Sequence, residues 1–121
     1  MPLELTVKGS VGGLPPAVDL AAYRIVQESL TNVMRHATGA PARALVVVDE
    51  DAVRLTVEDD GATRPASRVH PPRAPERAGY GLIGMAERAR LCGGDLEAGP
   101  RPGGGFRVRA WLPLVRAVSV A

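Results

Sequence analysis

The chain has 121 residues, 45% of them hydrophobic and 23% charged, with a formal net charge of +2 and one cysteine, Cys92. These values are typical of one globular domain and exclude a disordered tail, a disulfide framework and a cysteine-rich zinc site. No apolar run approaches the roughly 20 residues that span a bilayer, and Met1 to Val7 lacks the pattern of a secretory signal. We therefore expect a cytoplasmic domain.

The first two predicted elements are a strand and a long helix. Leu3–Lys8 alternates in the manner of a strand, and glycines follow it. The pattern is helical from Ala17 to about Ala37. Pro16 lies where a helix can begin, and Gly39 lies where one can end.

Two hairpins and a second helix complete the predicted fold. The β-branched runs Ala44–Val48 and Val53–Val57 predict one hairpin, and Asp95–Ala98 with Phe106–Leu112 predict another. Between the hairpins, Gly81–Leu91 predicts a helix that ends at two glycines. We expect an α+β protein, a two-layer α/β sandwich with a mixed, mostly antiparallel sheet and helices on one face.

The segment from Ala62 to Ala78 has a composition of its own. It carries four prolines and four arginines against one acid, Glu76. Proline at this density excludes regular structure, and loops of this length in a small domain are usually functional or disordered. We expect a lid over about residues 62–80, close to an anionic ligand.

The long helix carries a polar ridge centred on Glu28. At about 100° per residue, Arg24, Thr31, Asn32 and Arg35 lie within about 60° of it. The opposite side, which we expect to be buried, is apolar and consists of Ala22, Val26, Leu30 and Val33. Glu28 and Asn32 are i,i+4 neighbours, so they can converge on a hard cation such as Mg²⁺ or on a nucleophile. A solvated helix face explains the same pattern.

Two glycine-bearing segments accompany this ridge. A buried strand is followed by Asp59, Asp60 and Gly61. A carboxylate at a strand end can accept a hydrogen bond from an amine of a ligand, although an ordinary Asp-Gly turn has the same residues. Gly79 to Met85 has a G-x-G-x-x-G spacing at the start of a helix, which suits phosphate binding. It does not follow a strand, so a Rossmann fold is not indicated.

Together these segments resemble the catalytic ATP-binding domain of two-component sensor histidine kinases, in the nitrate-sensor and DesK-like subgroup. The matching segments, in order, are Tyr23–Asn32 with Arg35–Ala37 (the N-box), Asp59–Gly61 (the first glycine box), Gly79–Met85 (the second glycine box), Glu87–Ala89, and the final strand Gly105–Pro113. The resemblance extends from about Leu14 to Leu114 and implies the Bergerat fold of the GHKL ATPases, with ATP and Mg²⁺ as cofactors.

The resemblance also implies roles for individual residues. Asn32 would coordinate Mg²⁺, and Glu28 would act in catalysis by polarising the attacking group or the metal shell. Arg35 and His36 would lie near the phosphates, and Asp59 would accept from the adenine amine. The remaining cofactor-binding positions that it implies are Gly61, Gly79, Tyr80, Gly81, Leu82, Gly84 and Met85.

As a whole, the resemblance implies a single histidine-kinase-like ATPase domain over residues 1–121. In an intact homodimeric kinase it would transfer the γ-phosphoryl group of ATP to a histidine on a separate dimerisation domain, which would pass it to a response regulator. We see no phosphoacceptor in the chain, so we expect the isolated domain to be monomeric and inactive alone. It would be cytoplasmic, or the cytosolic part of a membrane-bound sensor. The small charge excess and few aromatic residues speak against a nucleic-acid partner.

Two alternatives remain. One is a serine kinase of the anti-sigma-factor type, which shares the fold. The other is a degenerate nucleotide-binding module without turnover. The second is favoured by two departures from the family pattern, because Thr63 replaces a glycine of the first box and Phe106 replaces a late threonine.

Overall fold

The fold is seen in a computed structural model that describes residues 3–37, 39–61 and 80–114, without the side chains of His36 and Tyr80. Its elements in chain order are β1 (Leu3–Lys8), α1 (Pro16–His36), β2 (Ala42–Val48), β3 (Ala52–Asp59), α2 (Tyr80–Leu91), β4 (Asp95–Pro100) and β5 (Phe106–Pro113). The predicted elements are confirmed, and the strands of both hairpins extend slightly further than expected. The predicted lid lies outside the described residues, except for its last residue.

The five strands form one sheet in the order β1-β2-β3-β5-β4. β1 pairs with β2 in parallel, and the other three pairings are antiparallel. The sheet is thus mixed and mostly antiparallel, as the sequence predicts. The long connection from β3 to α2 separates the two hairpins, and β5 pairs directly with β3.

Both described helices pack on the sheet and on each other. α1 contacts β3 and β5, while α2 contacts β4 and β5. Strand β3 shows that the helices cover one face of the sheet. Val53, Leu55 and Val57 point to that face and are buried, whereas Arg54 is exposed. Neither helix is long and apolar enough to cross a bilayer.

The buried side of α1 differs from the side that the helical wheel predicts. Val33 is buried as expected, but Ala22, Val26 and Leu30 are only half-buried. The fully buried positions are centred instead on Ile25 and Ser29. The helix is rotated because it contacts α2 as well as the sheet, which brings the polar ridge to the border between the two helices.

Candidate functional site

The polar ridge of α1 meets the first turn of α2 at Gly81. A Cβ atom built on Gly81 would lie 2.7 Å from Oε2 of Glu28 and 3.5 Å from Nδ2 of Asn32. The absent side chain of Gly81 therefore gives the Glu28 and Asn32 head groups room to converge beside the helix. The start of α2 also presents backbone N–H groups and the positive end of its dipole. Two of the residues that the sequence singled out thus lie together at a place suited to a phosphate and a cation.

A buried hydrogen bond connects α1 to α2 about one helical turn after Gly81. The hydroxyl of Ser29 donates to Sδ of Met85 at 3.3 Å, and both residues are buried. Leu82 and Met85 belong to the main hydrophobic core, together with Ile25 of α1. These two residues of the second glycine box therefore pack in the core near the start of α2, and their contact with a cofactor stays a prediction.

Asp59 ends β3 on the same face of the sheet as the helices. Only 1% of the residue is exposed. Its Oδ1 accepts the backbone N–H of Gly61 at 2.8 Å, which orients the carboxylate. Val57, two residues earlier on the same face, packs with Val33 of α1, so Asp59 lies beside the half of α1 that carries Asn32.

The chain following Asp59 is in close contact with the turn before β5. Gly61 has a φ of +81°, and a Cβ there would lie 2.9 Å from the backbone nitrogen of Gly105. Gly105 also has a positive φ, and a Cβ on it would overlap the carbonyl oxygen of Asp59. Glycine is thus required at both positions by conformation and by space.

An ion-pair network that the sequence analysis missed surrounds this segment on the other face of the sheet. Two carboxylates, those of Glu58 and Asp60, meet three arginines. Arg43 of β2 bonds both carboxylates, with Nη2 donating to Oδ1 of Asp60 at 2.8 Å. Arg107 of β5 donates to Glu58 at 3.0 Å, and Arg101 of the β4–β5 turn donates to Asp60 at 3.0 Å.

The network shifts the titration of its members. Hydrogen bonds from Arg43 and Arg101 lower the pKa of Asp60 to about 2, although burial opposes them. Burial raises the pKa of Glu58, but the hydrogen bond from Arg107 and the neighbouring arginine charges outweigh it, so this pKa is lower than usual. The hydrogen bond to Asp60 raises the pKa of Arg43 above its usual value. Both carboxylates are consequently held ionised well below neutral pH.

Five other predicted site residues are less constrained or lie wholly or partly outside the described residues. Arg35 is exposed on α1, and a Cβ on Gly84 would meet nothing within 4 Å. Gly79 lies outside the described residues, as do the side chains of His36 and Tyr80. The structure thus brings together Glu28, Asn32 and Gly81, and places Asp59 in the same layer.

The donor set at Gly81 fits Mg²⁺ only if phosphate oxygens complete it. Within the described residues, no group of three or more histidine, cysteine, aspartate or glutamate side chains could hold a metal alone. Glu28 and Asn32 supply one carboxylate and one carboxamide beside the same glycine. Mg²⁺ is commonly bound through one or two protein oxygens together with substrate phosphates and water, so these residues fit a metal that arrives with a nucleotide.

A cavity of about 580 Å³ lies on the open face of the sheet, away from these residues. Its charged lining is balanced, with three arginines and three acids: Arg54, Arg107, Arg109, Glu58, Asp95 and Glu97. Such a lining offers no net attraction for a polyphosphate. The chemistry therefore favours the site between α1 and α2 over this cavity.

In overall fold, the chain is similar to a solved histidine kinase domain. This is the histidine kinase domain of the blue-light activated histidine kinase from Erythrobacter litoralis. The TM-score is 0.65 at 24% identity, and the match covers 93% of this chain and 52% of the other.

In sequence, residues 17–116 match the family described as histidine kinase-, DNA gyrase B-, and HSP90-like ATPase. The chain is 36% identical over 101 residues to the sensor histidine kinase YxjM of Bacillus subtilis, covering 84% of this chain and 23% of that protein. It is 38% identical to the sensor histidine kinase MtrB of Mycobacterium tuberculosis, covering 80% and 19% respectively. The chain belongs to this ATPase family, and it is an ATP-binding catalytic domain of the kind found in sensor histidine kinases.

The chain is much shorter than these relatives. It spans about a quarter of the length of YxjM, at 23%, and of the Bacillus subtilis sensor histidine kinase LnrJ, at 26%. The relatives' names do not distinguish the nitrate-sensor and DesK-like subgroup, which stays a prediction.

Proposed function

We propose that this domain binds Mg·ATP between α1 and α2 and presents the γ-phosphate to an acceptor histidine in a longer kinase. The observation that carries the proposal is the convergence of Glu28 and Asn32 on Gly81 at the start of α2. The buried carboxylate of Asp59, on the same face of the sheet, supplies a second anchor suited to the base. Two anchors of different chemistry match the two ends of a nucleotide.

Each side chain has a distinct task in this proposal. The Asp59 carboxylate accepts a hydrogen bond from the adenine amine, and Gly61 lets the base approach the backbone. Gly81 leaves the first turn of α2 open to the phosphates. Arg35 and His36 supply positive charge or hydrogen-bond donors near the phosphates. Phosphoryl transfer relies on positioning and on charge stabilisation, which such donors provide.

Mg²⁺ would be held by the Asn32 carboxamide oxygen and by phosphate oxygens. It would neutralise charge on the phosphates as the γ-phosphoryl group is transferred. The Glu28 carboxylate, next to Asn32, orients the metal shell or the attacking group. Because Glu28 and Asn32 are one helical turn apart, α1 itself sets the spacing between them.

The partners belong to the proposal as well. The acceptor is a histidine on the dimerisation domain of the same kinase, and a response regulator receives the phosphoryl group from it. The parent would be a homodimer that places this domain in the cytoplasm. The sensor histidine kinases reported above favour this proposal over a serine kinase of the anti-sigma-factor type.

The test is calorimetric titration of ADP with and without Mg²⁺, using the wild type and the variants Asn32→Ala and Asp59→Asn. Losing a charge-assisted hydrogen bond of about 1.5–3 kcal/mol should weaken ADP binding about 10- to 100-fold in Asp59→Asn. Asn32→Ala should abolish the gain in affinity that Mg²⁺ gives. The control is Gln27→Ala, an exposed position of the same helix, which should bind as the wild type does.

Two results would contradict the proposal. One is no binding by the wild type at millimolar nucleotide, which would mean that the nucleotide site of this chain is disabled. The other is unchanged affinity and Mg²⁺ dependence in both site variants.

A further inference from the structure

The turn between β4 and β5 folds back onto the residues around Asp59. Two backbone hydrogen bonds close it: Arg101 donates to the Gly105 carbonyl at 3.0 Å, and Gly104 donates to the Arg101 carbonyl at 3.1 Å. Gly105 then lies against Asp59 and Gly61 so closely that neither glycine could carry a Cβ atom without displacing the other segment. The turn is therefore a direct neighbour of the predicted adenine-binding residue.

Arg101 is the side chain through which this turn holds that segment. Its Nη1 donates to the carbonyl oxygen of Asp59 at 2.7 Å and to Oδ1 of Asp60 at 3.0 Å. Its Nε lies 3.8 Å from Oε2 of Glu58. One guanidinium thus contacts three consecutive residues. Its side chain is 21% exposed, so solvent screens these contacts only in part.

The contact with Asp59 differs in kind from the other ion pairs. Arg101 bonds the main-chain carbonyl of Asp59, whereas the Asp59 carboxylate points to the helix-covered face and accepts from Gly61. The backbone of Asp59 is consequently held from the open face while its carboxylate is oriented on the other. Loss of the Arg101 bond would remove this restraint on the peptide group that follows Asp59.

We propose that Arg101 is a positioning residue for adenine recognition: it holds the Asp59 carbonyl and the Asp60 carboxylate, and so keeps the Asp59 carboxylate where the adenine amine reaches it. This inference rests on the proposed role of Asp59. Arg101 acts through Asp59 and does not itself touch the nucleotide. Its loss should therefore reduce selectivity for the base and leave phosphate binding in place.

The chain offers a matched control in Arg107. This arginine comes from β5 and donates to Oε2 of Glu58 at 3.0 Å, one residue before Asp59. Arg107→Gln therefore breaks an ion pair of the same network without removing the bond from Arg101 to the Asp59 carbonyl. A general loosening of the network would affect both arginine variants alike, whereas positioning of Asp59 would affect Arg101 alone.

The experiment compares the affinities of the chain for Mg·ADP and Mg·IDP by calorimetry, because inosine lacks the exocyclic amine of adenine. We expect Arg101→Gln to lower the ADP-over-IDP preference about tenfold. Arg101→Lys, which retains a cationic donor, should restore part of the preference. Arg107→Gln should keep it unchanged. In the Asp59→Asn background, Arg101→Gln should cause no further loss of the ADP-over-IDP preference, because Arg101 acts only through the Asp59 carboxylate.

Two results would overturn the inference: an unchanged preference in folded Arg101→Gln, whether or not both affinities fall equally, or the same loss of preference in Arg107→Gln. If circular dichroism shows that Arg101→Gln is unfolded, Arg101→Met decides, since a folded variant that lacks the donor and keeps the wild-type preference would reject the positioning role. Failure of the proposed function has a different signature, because the wild type would then show no preference or Asp59→Asn would retain it.

Discussion

The two faces of the sheet are stabilised in different ways, and β3 shows the difference within a few residues. On the helix-covered face, Leu55 and Val57 pack in the apolar core and lead to Asp59. On the open face, Glu58 and Asp60 enter a network of ion pairs. Strand alternation alone assigns neighbouring residues to these two layers.

This division indicates how a carboxylate can be buried in a site while charges support it from outside. The arginines that bond Glu58 and Asp60 come from the open side, and Arg101 reaches the backbone of Asp59 from there. The Asp59 carboxylate lies on the other face and is almost fully buried, where an interaction with a ligand is stronger than in water. The open face therefore supports the proposed site on the covered face.

The largest difference between the faces should appear in stability. Leu55→Ala removes a side chain from a residue that is 2% exposed, so we expect the free energy of unfolding to fall by about 2–5 kcal/mol. Thr56→Ala, the adjacent position on the open face, should lower it by less than about 1 kcal/mol. Urea unfolding followed by circular dichroism gives both values. Equal losses would show that the two faces contribute alike.

A smaller effect is expected where α2 meets α1. Gly81→Ala places a Cβ 2.7 Å from Oε2 of Glu28, so this flexible carboxylate must move. Because the moving group is the end of a long side chain, stability should change by less than about 1 kcal/mol, while Mg·ADP affinity should fall about fivefold. Calorimetry together with thermal melting separates the two quantities.

The control for this variant is Gly99→Ala on β4, where an added Cβ meets nothing within 4 Å. It should leave the affinity for Mg·ADP unchanged. If Gly81→Ala also binds as the wild type does, Glu28 has no part in the site.

The smallest effect concerns the acid stability of the open face. Folding lowers the pKa of Asp60 from 3.8 to about 2 through the bonds from Arg43 and Arg101, so the native state binds fewer protons than the unfolded state. The stabilisation that ionised Asp60 gives the native state is complete above about pH 4 and disappears as the pH falls through about 2. Between these values, the wild type should lose stability more steeply than Asp60→Asn, as urea unfolding at stepped pH would measure. Parallel curves would contradict the role of this ion pair.

Local patterns in the sequence were sufficient for the elements and for part of the site. Pro16 begins α1 and Gly39 follows its end, the β-branched runs predict the first hairpin, and Asp95–Ala98 with Phe106–Leu112 predict the second, because caps and alternation depend on near neighbours. The i,i+4 spacing placed Glu28 and Asn32 together for the same reason. Their contact with Gly81 was not predicted, since the resemblance to a family only assigned all three residues to one ATP site.

Long-range contacts were beyond such reasoning. Arg101 stands among glycines and prolines, a composition typical of a turn, yet it bonds Asp59 and Asp60 about forty residues earlier in the chain. The rotation of α1 was missed similarly, because a wheel assumes one partner surface while the helix packs on the sheet and on α2. Strand order decides both contacts, and no local spacing encodes it.

The most direct test of where the nucleotide binds is a map of backbone amide NMR shifts as Mg·ADP is added to the ¹⁵N-labelled chain. The account predicts the largest changes at Asn32, at Asp59–Gly61 and at Gly81, with the indole signal of Trp111, the one tryptophan, unmoved. Trp111 lines the open-face cavity, so it reports on the competing location. Changes concentrated at Arg109 and Trp111 would contradict the account and place the nucleotide on the open face.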